Sequence, residues 1–219
     1  LQHGRIVILV LAVILVCGWT LAQQPDAGVK KEMPAGWKMR LDSADAKREE
    51  FQFWTMPPGW HMTTGPAGIV YDPAQVARGE YRLESESFLF KPEGEMREGF
   101  GIFFGGKDLE SENQSYVYFL VRRDGRFLVK QRTGKTTANL IPWTEHPAIV
   151  KHDGSDRTAK NILSMEVMKD LVSFQVNGRE VATLSRGKIS TDGQVGLRVN
   201  HHLNIHVTYL NLIPREPAR

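Results

Sequence analysis

The chain has 219 residues, of which 41% are hydrophobic and 24% charged, a globular composition with enough material for one sizeable core. Its net charge of +3 is too small and too scattered for a nucleic-acid-binding protein, which needs basic residues clustered along one face, so no nucleic-acid partner is expected. The single cysteine, Cys17, falls in an N-terminal apolar segment, so packing rather than disulfides must hold the remainder together.

Arg5 precedes an apolar run over residues 6–17, followed by Trp19-Thr20-Leu21-Ala22 and then polar Gln23-Gln24-Pro25. A short basic region, an apolar stretch marginal for a membrane span and small residues at Thr20 and Ala22 fit a signal peptide over residues 1–22, cut after Ala22. An uncleaved N-terminal anchor is the alternative. Either way the rest of the chain is expected outside the cytoplasm, periplasmic or extracellular, with no stable membrane span once the leader is removed. Removal takes only Arg5 from the 28 basic residues, which leaves 27 against 25 acidic ones. Residues 23–36 contain Pro25, Gly28 and Pro34 without an apolar period and read as a flexible tether, so the folded domain spans residues 37–215.

From residue 48 onward, short apolar or alternating segments are separated by turn residues: 51–55, 60–64, 68–72, 80–90, 100–104, 116–123 and 126–132, then 163–169, 171–176, 180–184, 195–199 and 203–213. Many antiparallel strands at this length predict an all-β, two-sheet antiparallel sandwich. Residues 42–50 read as a short exposed helix and 72–78 as one more turn. The alternation over 163–184 is the most explicit. With Lys169-Asp170 as a turn, Val167 faces Val172, Met165 faces Phe174 and Leu163 faces Val176, so six apolar side chains share one face. The outward Ser164, Glu166, Ser173, Gln175 and Glu180 then read as a solvated sheet face. Asn177-Gly178 suits a type I′ hairpin that sets Phe174 opposite Val181.

Asp124-Gly125 predicts another hairpin, with Arg122 opposite Phe127 and Leu120 opposite Val129. Tyr118, Leu120, Phe127 and Val129 are then the expected core face. Because the other face is also partly apolar, an inner strand pair with a groove on its far side is expected. Residues 133–162 read as one long loop carrying Trp143, His146 and His152, either packed over a sheet edge or contacting a ligand.

Several segments resemble concanavalin A-like jelly-roll domains. They are Trp60-His61-Met62-Thr63-Thr64-Gly65-Pro66-Ala67, Gly101-Ile102-Phe103-Phe104-Gly105-Gly106, Tyr118-Phe119-Leu120-Val121-Arg122-Arg123-Asp124-Gly125, Val176-Asn177-Gly178-Arg179-Glu180-Val181, Gly193-Gln194-Val195-Gly196-Leu197-Arg198 and Val207-Thr208-Tyr209-Leu210-Asn211-Leu212. They are most similar to the secreted domain named for 3-keto-disaccharide hydrolases, with laminin-G-like domains next, over roughly residues 51–213. The shared residues are mostly turns and core strands, which bear on fold more than on function.

The resemblance implies a carbohydrate ligand that is either bound or cleaved, in the second case by a hydrolase or lyase acting on 3-keto-glycosides. A laminin-G-like cell-envelope interaction module without catalysis is the alternative. A 3-keto group acidifies the neighbouring carbon, so catalysis would need a base near neutral pKa and a donor for the oxyanion. His61 and His202 are the candidate catalytic residues; Trp60, Tyr116, Arg122, Trp143 and His206 are the candidate substrate-binding ones, with His61, Arg122, Trp143 and His202 expected to line one groove. His202 and His206 lie too far apart along one strand to share a metal without a cross-strand partner, and no metal ligand set is assigned. A laminin-G-like calcium ion would fall at Asp72 or Asp108. Glu84 and Glu86 alternate on a strand, while Asp108, Glu110 and Glu112 alternate in a loop. None matches the acidic strand motif of jelly-roll glucanases, and all read as solvated charge.

Overall fold

Alternating segments punctuated by turn residues form fifteen strands in the computed structural model, which describes residues 31–215. The expected leader and residues 23–30 of the tether lie outside the described residues. In chain order the strands are β1 (Lys38–Leu41), β2 (Phe51–Thr55), β3 (Trp60–Thr64), β4 (Gly68–Tyr71), β5 (Val76–Ala77), β6 (Tyr81–Leu89), β7 (Gly99–Lys107) and β8 (Ser115–Arg122). They continue with β9 (Arg126–Thr133), β10 (Thr136–Glu145), β11 (Ala159–Val167), β12 (Leu171–Val176), β13 (Arg179–Ser185), β14 (Gly193–Val199) and β15 (Asn204–Pro214). All pairings are antiparallel. One sheet has the order β1-β4-β14-β7-β8-β9-β10, with β5 added beside β14; the other has the order β13-β12-β11-β6-β15-β3-β2.

The core lies between the sheets. Phe104 and Phe119 from the eight-stranded sheet meet Phe174 from the seven-stranded one, with ring centroids 6.2 and 5.2 Å apart. Leu163, Met165, Val167, Val172 and Val176 bury fully beside them. Each such side chain contributes about 1.5–3 kcal/mol of burial free energy, which is how a domain without disulfides is held. Among the described residues no helix is long and apolar enough to cross a membrane.

The 163–176 register is the one the alternation dictates: Val167 opposite Val172, Met165 opposite Phe174 and Leu163 opposite Val176. Asn177 and Gly178 both take positive φ, as a type I′ turn requires. Beyond the turn the expectation fails by one residue. A bulge inserts Val181, so Phe174 pairs with Ala182.

The Asp124-Gly125 hairpin is also shifted. Gly125, at φ 83°, closes a three-residue loop, so Arg122 pairs with Arg126, Leu120 with Leu128 and Phe119 with Val129. The one-residue slip exchanges the faces of β8: Val117, Phe119 and Val121 enter the core and Tyr118 and Leu120 face outward, whereas on β9 Phe127 and Val129 lie in the core as expected and Leu128 faces outward.

Residues 136–145 form the edge strand β10, not part of a loop. Pro142 and two register shifts against β9 hide its period, and an edge is where a strand tolerates proline. The expected helix over 42–50 reduces to one 3₁₀ turn, Arg48–Glu50, and 72–78 holds a turn followed by β5. The outward meander residues are not all solvated, since Ser164, Glu166 and Ser173 are buried.

Candidate functional site

The outer face of the eight-stranded sheet carries a second apolar layer, in which Ile69, Tyr71, Phe103, Tyr116, Tyr118, Leu120 and Leu128 are buried together with Leu109. Arg198 crosses this layer. The inward positions of β14 are Val195, Leu197 and Val199, so the guanidinium of Arg198 projects outward and lies 5.3 Å from the ring centroid of Tyr118. Its Nη2 donates to Asp42 Oδ2 at 2.7 Å, its Nε to Asn200 Oδ1 at 3.2 Å and its Nη1 to the Tyr116 hydroxyl at 3.4 Å. Arg132 Nη2 donates to the same Asp42 Oδ2 at 2.7 Å.

Two guanidiniums therefore share one carboxylate. Burial opposes ionisation of Asp42, but the hydrogen bond and charge of Arg198, with the charge of Arg132, outweigh it and hold its carboxyl below the ordinary value. Burial likewise opposes the Arg198 cation, and Tyr116 and Asp42 reverse the effect. Burial pushes the Tyr118 phenol up to about 12, so it stays protonated.

At the β8–β9 hairpin end of this face, Trp143 of β10 is half-buried, and the guanidinium of Arg122 sits 4.5 Å from its ring centroid. Asp124 Oδ1 accepts from Arg122 Nε at 2.7 Å and fixes the guanidinium. Gly99 makes room for the indole: a Cβ there would lie 2.8 Å from Trp143 Cη2. At the other end, Arg40, Asp42, Arg48, Arg132 and Lys135 line a cleft of about 680 Å³. The two ends are six residues apart along β9, about 20 Å.

The histidines lie on the other sheet. His61 and His206 are cross-strand partners on the outer face of β3 and β15, with ring centroids 6.1 Å apart. His61 Nε2 pairs with Asn204 Oδ1 at 2.7 Å and His206 Nε2 with the Pro58 carbonyl at 2.8 Å, an arrangement that places the proton on Nε2 in both rings. His202, at φ 51° in the turn before β15, lines a separate cleft of about 490 Å³ with Asn204, Thr63 and Lys91. Asn204 thus links the two expected catalytic histidines, but Arg122 and Trp143 are on the opposite side of the sandwich, so the four residues do not line one groove.

Of the other expected contacts, Trp60 packs against Trp37, with centroids 4.8 Å apart, at the margin of the core. Tyr116 is buried and acts on Arg198 rather than facing a ligand. His146 and His152 accept the Ala148 and Gly154 amides through Nδ1 and shape the loop after β10.

Glu84 and Glu86 are not solvated charge. Tyr209 donates its hydroxyl to Glu84 at 3.1 Å, Arg82 pairs with Glu84 and Glu166, and Lys160 pairs with Glu86 at 3.0 Å. Asp72 caps the Ala74 amide, and among the described residues no group of three His, Cys, Asp or Glu could hold a metal ion.

Comparison with solved structures places this architecture. A carbohydrate binding module, CBM66 from Bacillus subtilis, matches with a TM-score of 0.60 at 13% identity, covering 82% of this chain and 96% of that one. The fold is a concanavalin A-like or galectin-like jelly roll. A mixed linkage glucan GH16 protein from Bacteroides ovatus matches this jelly roll at TM-score 0.56 and 7% identity, covering 84% and 98%. The laminarinase catalytic domain from Thermotoga maritima matches at 0.51 and 10%, covering 84% and 93%. No family model matches the chain, and no curated protein matches it. Identities this low establish the jelly roll and nothing finer.

Asp42, Arg132 and Arg198 were not among the sequence candidates. One signal was available: Arg198 alternates with three core residues, so a long cation had to lie on a face that the β8–β9 pattern had already marked as partly apolar.

Proposed function

We propose that this protein is a saccharide-binding jelly roll, acting outside the cytoplasm, whose ligand lies along the outer face of the eight-stranded sheet. The observation that carries this reading is the Arg122–Trp143 pair. An indole set on the bare Cα of Gly99 offers an apolar face and edge to a sugar ring, and a guanidinium anchored by Asp124 offers fixed donors to its hydroxyls. The structural neighbours that bind or cleave glycans lend support at the level of fold. Titration calorimetry with a panel of oligosaccharides tests it: the mature domain binds at least one, and Trp143→Ala abolishes that binding while the melting curve stays cooperative. Binding unaffected by Trp143→Ala would remove the site from this face.

A second reading has its own observation. His202 and Asn204 share a cleft, and Asn204 accepts from His61, so an imidazole base and a polarised amide are available together for the cleavage of a 3-keto-glycoside. His61 is a positioning residue in this scheme. Turnover of 3-keto-disaccharides but not ordinary disaccharides, lost in His202→Ala, is the expected result; no turnover of any 3-keto substrate refutes it.

A further inference from the structure

The cleft at the Arg132 end of the same face is lined by four cations, Arg40, Arg48, Arg132 and Lys135, against three carboxylates, Asp42, Asp45 and Glu112. Asp42 is already divided between Arg132 and Arg198, the latter only 3% exposed. Glu112 is taken by Lys135 at 3.1 Å. Also lining the cleft, Arg40 Nη1 donates to the Leu109 carbonyl, and Arg48 Nη2 lies 3.9 Å from the Met33 sulfur. The Nε groups of Arg132 and Arg40 are buried and donate to nothing among the described residues. Arg132 is 92% buried, since its relative exposure is 8%.

A guanidinium largely withdrawn from water is costly, and an oxyanion in the cleft recovers part of that cost through charge-assisted hydrogen bonds to the edges of the guanidiniums that line it. Asp42 cannot serve both cations fully, because one carboxylate carries one charge. Arg132, Arg40 and Arg48 all line this one cleft, so an anion seated in it lies in their combined positive field.

We infer that this cleft is a subsite for an anionic group on the saccharide, a carboxylate or a sulfate ester, so that the ligand is an acidic oligosaccharide spanning from Trp143 to Arg132. The inference rests on the reading that this face holds the saccharide. The separation of about 20 Å between the two ends requires an oligomer rather than a single sugar. The indole end binds ring carbon and hydroxyls, and the cationic end sets the preference among glycans.

Calorimetry with three tetrasaccharides built on galactose-type rings tests it: galactotetraose, tetragalacturonate and a carrageenan tetrasaccharide. At least one acidic ligand should bind about tenfold or more tighter than the neutral one, the worth of one charge-assisted hydrogen bond, and the advantage should shrink as salt is raised. Preference for tetragalacturonate or for the carrageenan oligomer tells carboxylate from sulfate. Arg132→Gln should erase the preference, and Arg48→Gln, at an exposed position outside the Asp42 network, should reduce it about threefold without changing the melting temperature. Equal binding of neutral and acidic ligands overturns the anionic subsite alone. Binding of none of the three, with other glycans also inert, overturns the saccharide reading as well. Should Arg132→Gln fail to fold, an unchanged preference in Arg48→Gln at every salt concentration is itself sufficient to reject the subsite.

Discussion

Asp42 follows β1 and still donates its amide to the Ala67 carbonyl at the start of β4, yet its carboxylate accepts a 2.7 Å hydrogen bond from Arg132 on β9. Between β1 and β9 the sheet order places β4, β14, β7 and β8. Five strand spacings on a flat sheet amount to about 24 Å, more than an Asp and an Arg side chain can span together. The sheet therefore curls around its outer face, and the Asp42 contact ties one side of the resulting trough to the other.

Asp42→Asn should expose the importance of that tie. The substitution leaves Arg132 and the fully buried Arg198 without their shared counter-charge, a change that typically costs about 3–5 kcal/mol. Urea unfolding monitored by tryptophan fluorescence should show the midpoint falling with little change in slope. A loss below about 1 kcal/mol would mean that water reaches Arg198 freely, contrary to its burial.

The same carboxylate gives the fold an acid limit. Its pKa is lowered in the folded state, against the upward pull of burial, chiefly by Arg198 and then by Arg132. A depressed carboxyl contributes stability that is fully present above the unfolded value of about 3.9 and is lost as pH falls through the folded one. Thermal melts between pH 5 and pH 2.5 should show Tm dropping steeply in the wild type. In Asp42→Asn the curve should start lower and fall less.

Gly99→Ala separates the site from the fold. The new methyl group would stand 2.8 Å from Trp143 Cη2 and 3.2 Å from Leu120 Cδ1, and the indole, half-exposed on an edge strand, is the group free to move. Stability should fall by only about 1–2 kcal/mol, whereas saccharide affinity should fall by more than tenfold as Trp143 leaves its place beside Arg122. Stability and affinity can be read on one sample by differential scanning fluorimetry with and without ligand. Unchanged affinity would show that the position of the indole does not matter to binding.

These cases also mark what could be read from the chain alone. The 163–176 register was legible because alternation and turn chemistry there are both local. At Asp124-Gly125 the dipeptide matched a two-residue turn, but Gly125 closes a three-residue loop, and one residue of slip exchanged the core and outer faces of β8. The strand of Trp143 was hidden by Pro142 and two bulges. Asp42 could not be found from its neighbours in sequence, because its partners are at 132 and 198 and meet it only once the sheet has curled. His61 and Trp143 looked equally suited to one groove; the strand order assigned them to different sheets.

His61 supplies a test near neutral pH. Burial lowers its pKa most, the hydrogen bond to Asn204 opposes that, and the nearby His206 and Lys31 lower it further. A histidine whose folded pKa lies below its unfolded value of about 6.5 is favoured neutral in the folded state, so its contribution is complete above pH 6.5 and is lost as pH falls toward the folded value. Melting temperatures should therefore decline from pH 7.5 to pH 5.5, well before Asp42 begins to protonate. His61→Gln retains a donor for Asn204 and removes the titration, so its Tm should vary less over this window. His206→Gln should also flatten the profile, but by less, because it removes only one of the groups acting on His61. A wild-type Tm that is flat from pH 7.5 to 5.5 would mean that the imidazole is as well hydrated folded as unfolded, and the pairing of Asn204 with a neutral His61 would have to be abandoned.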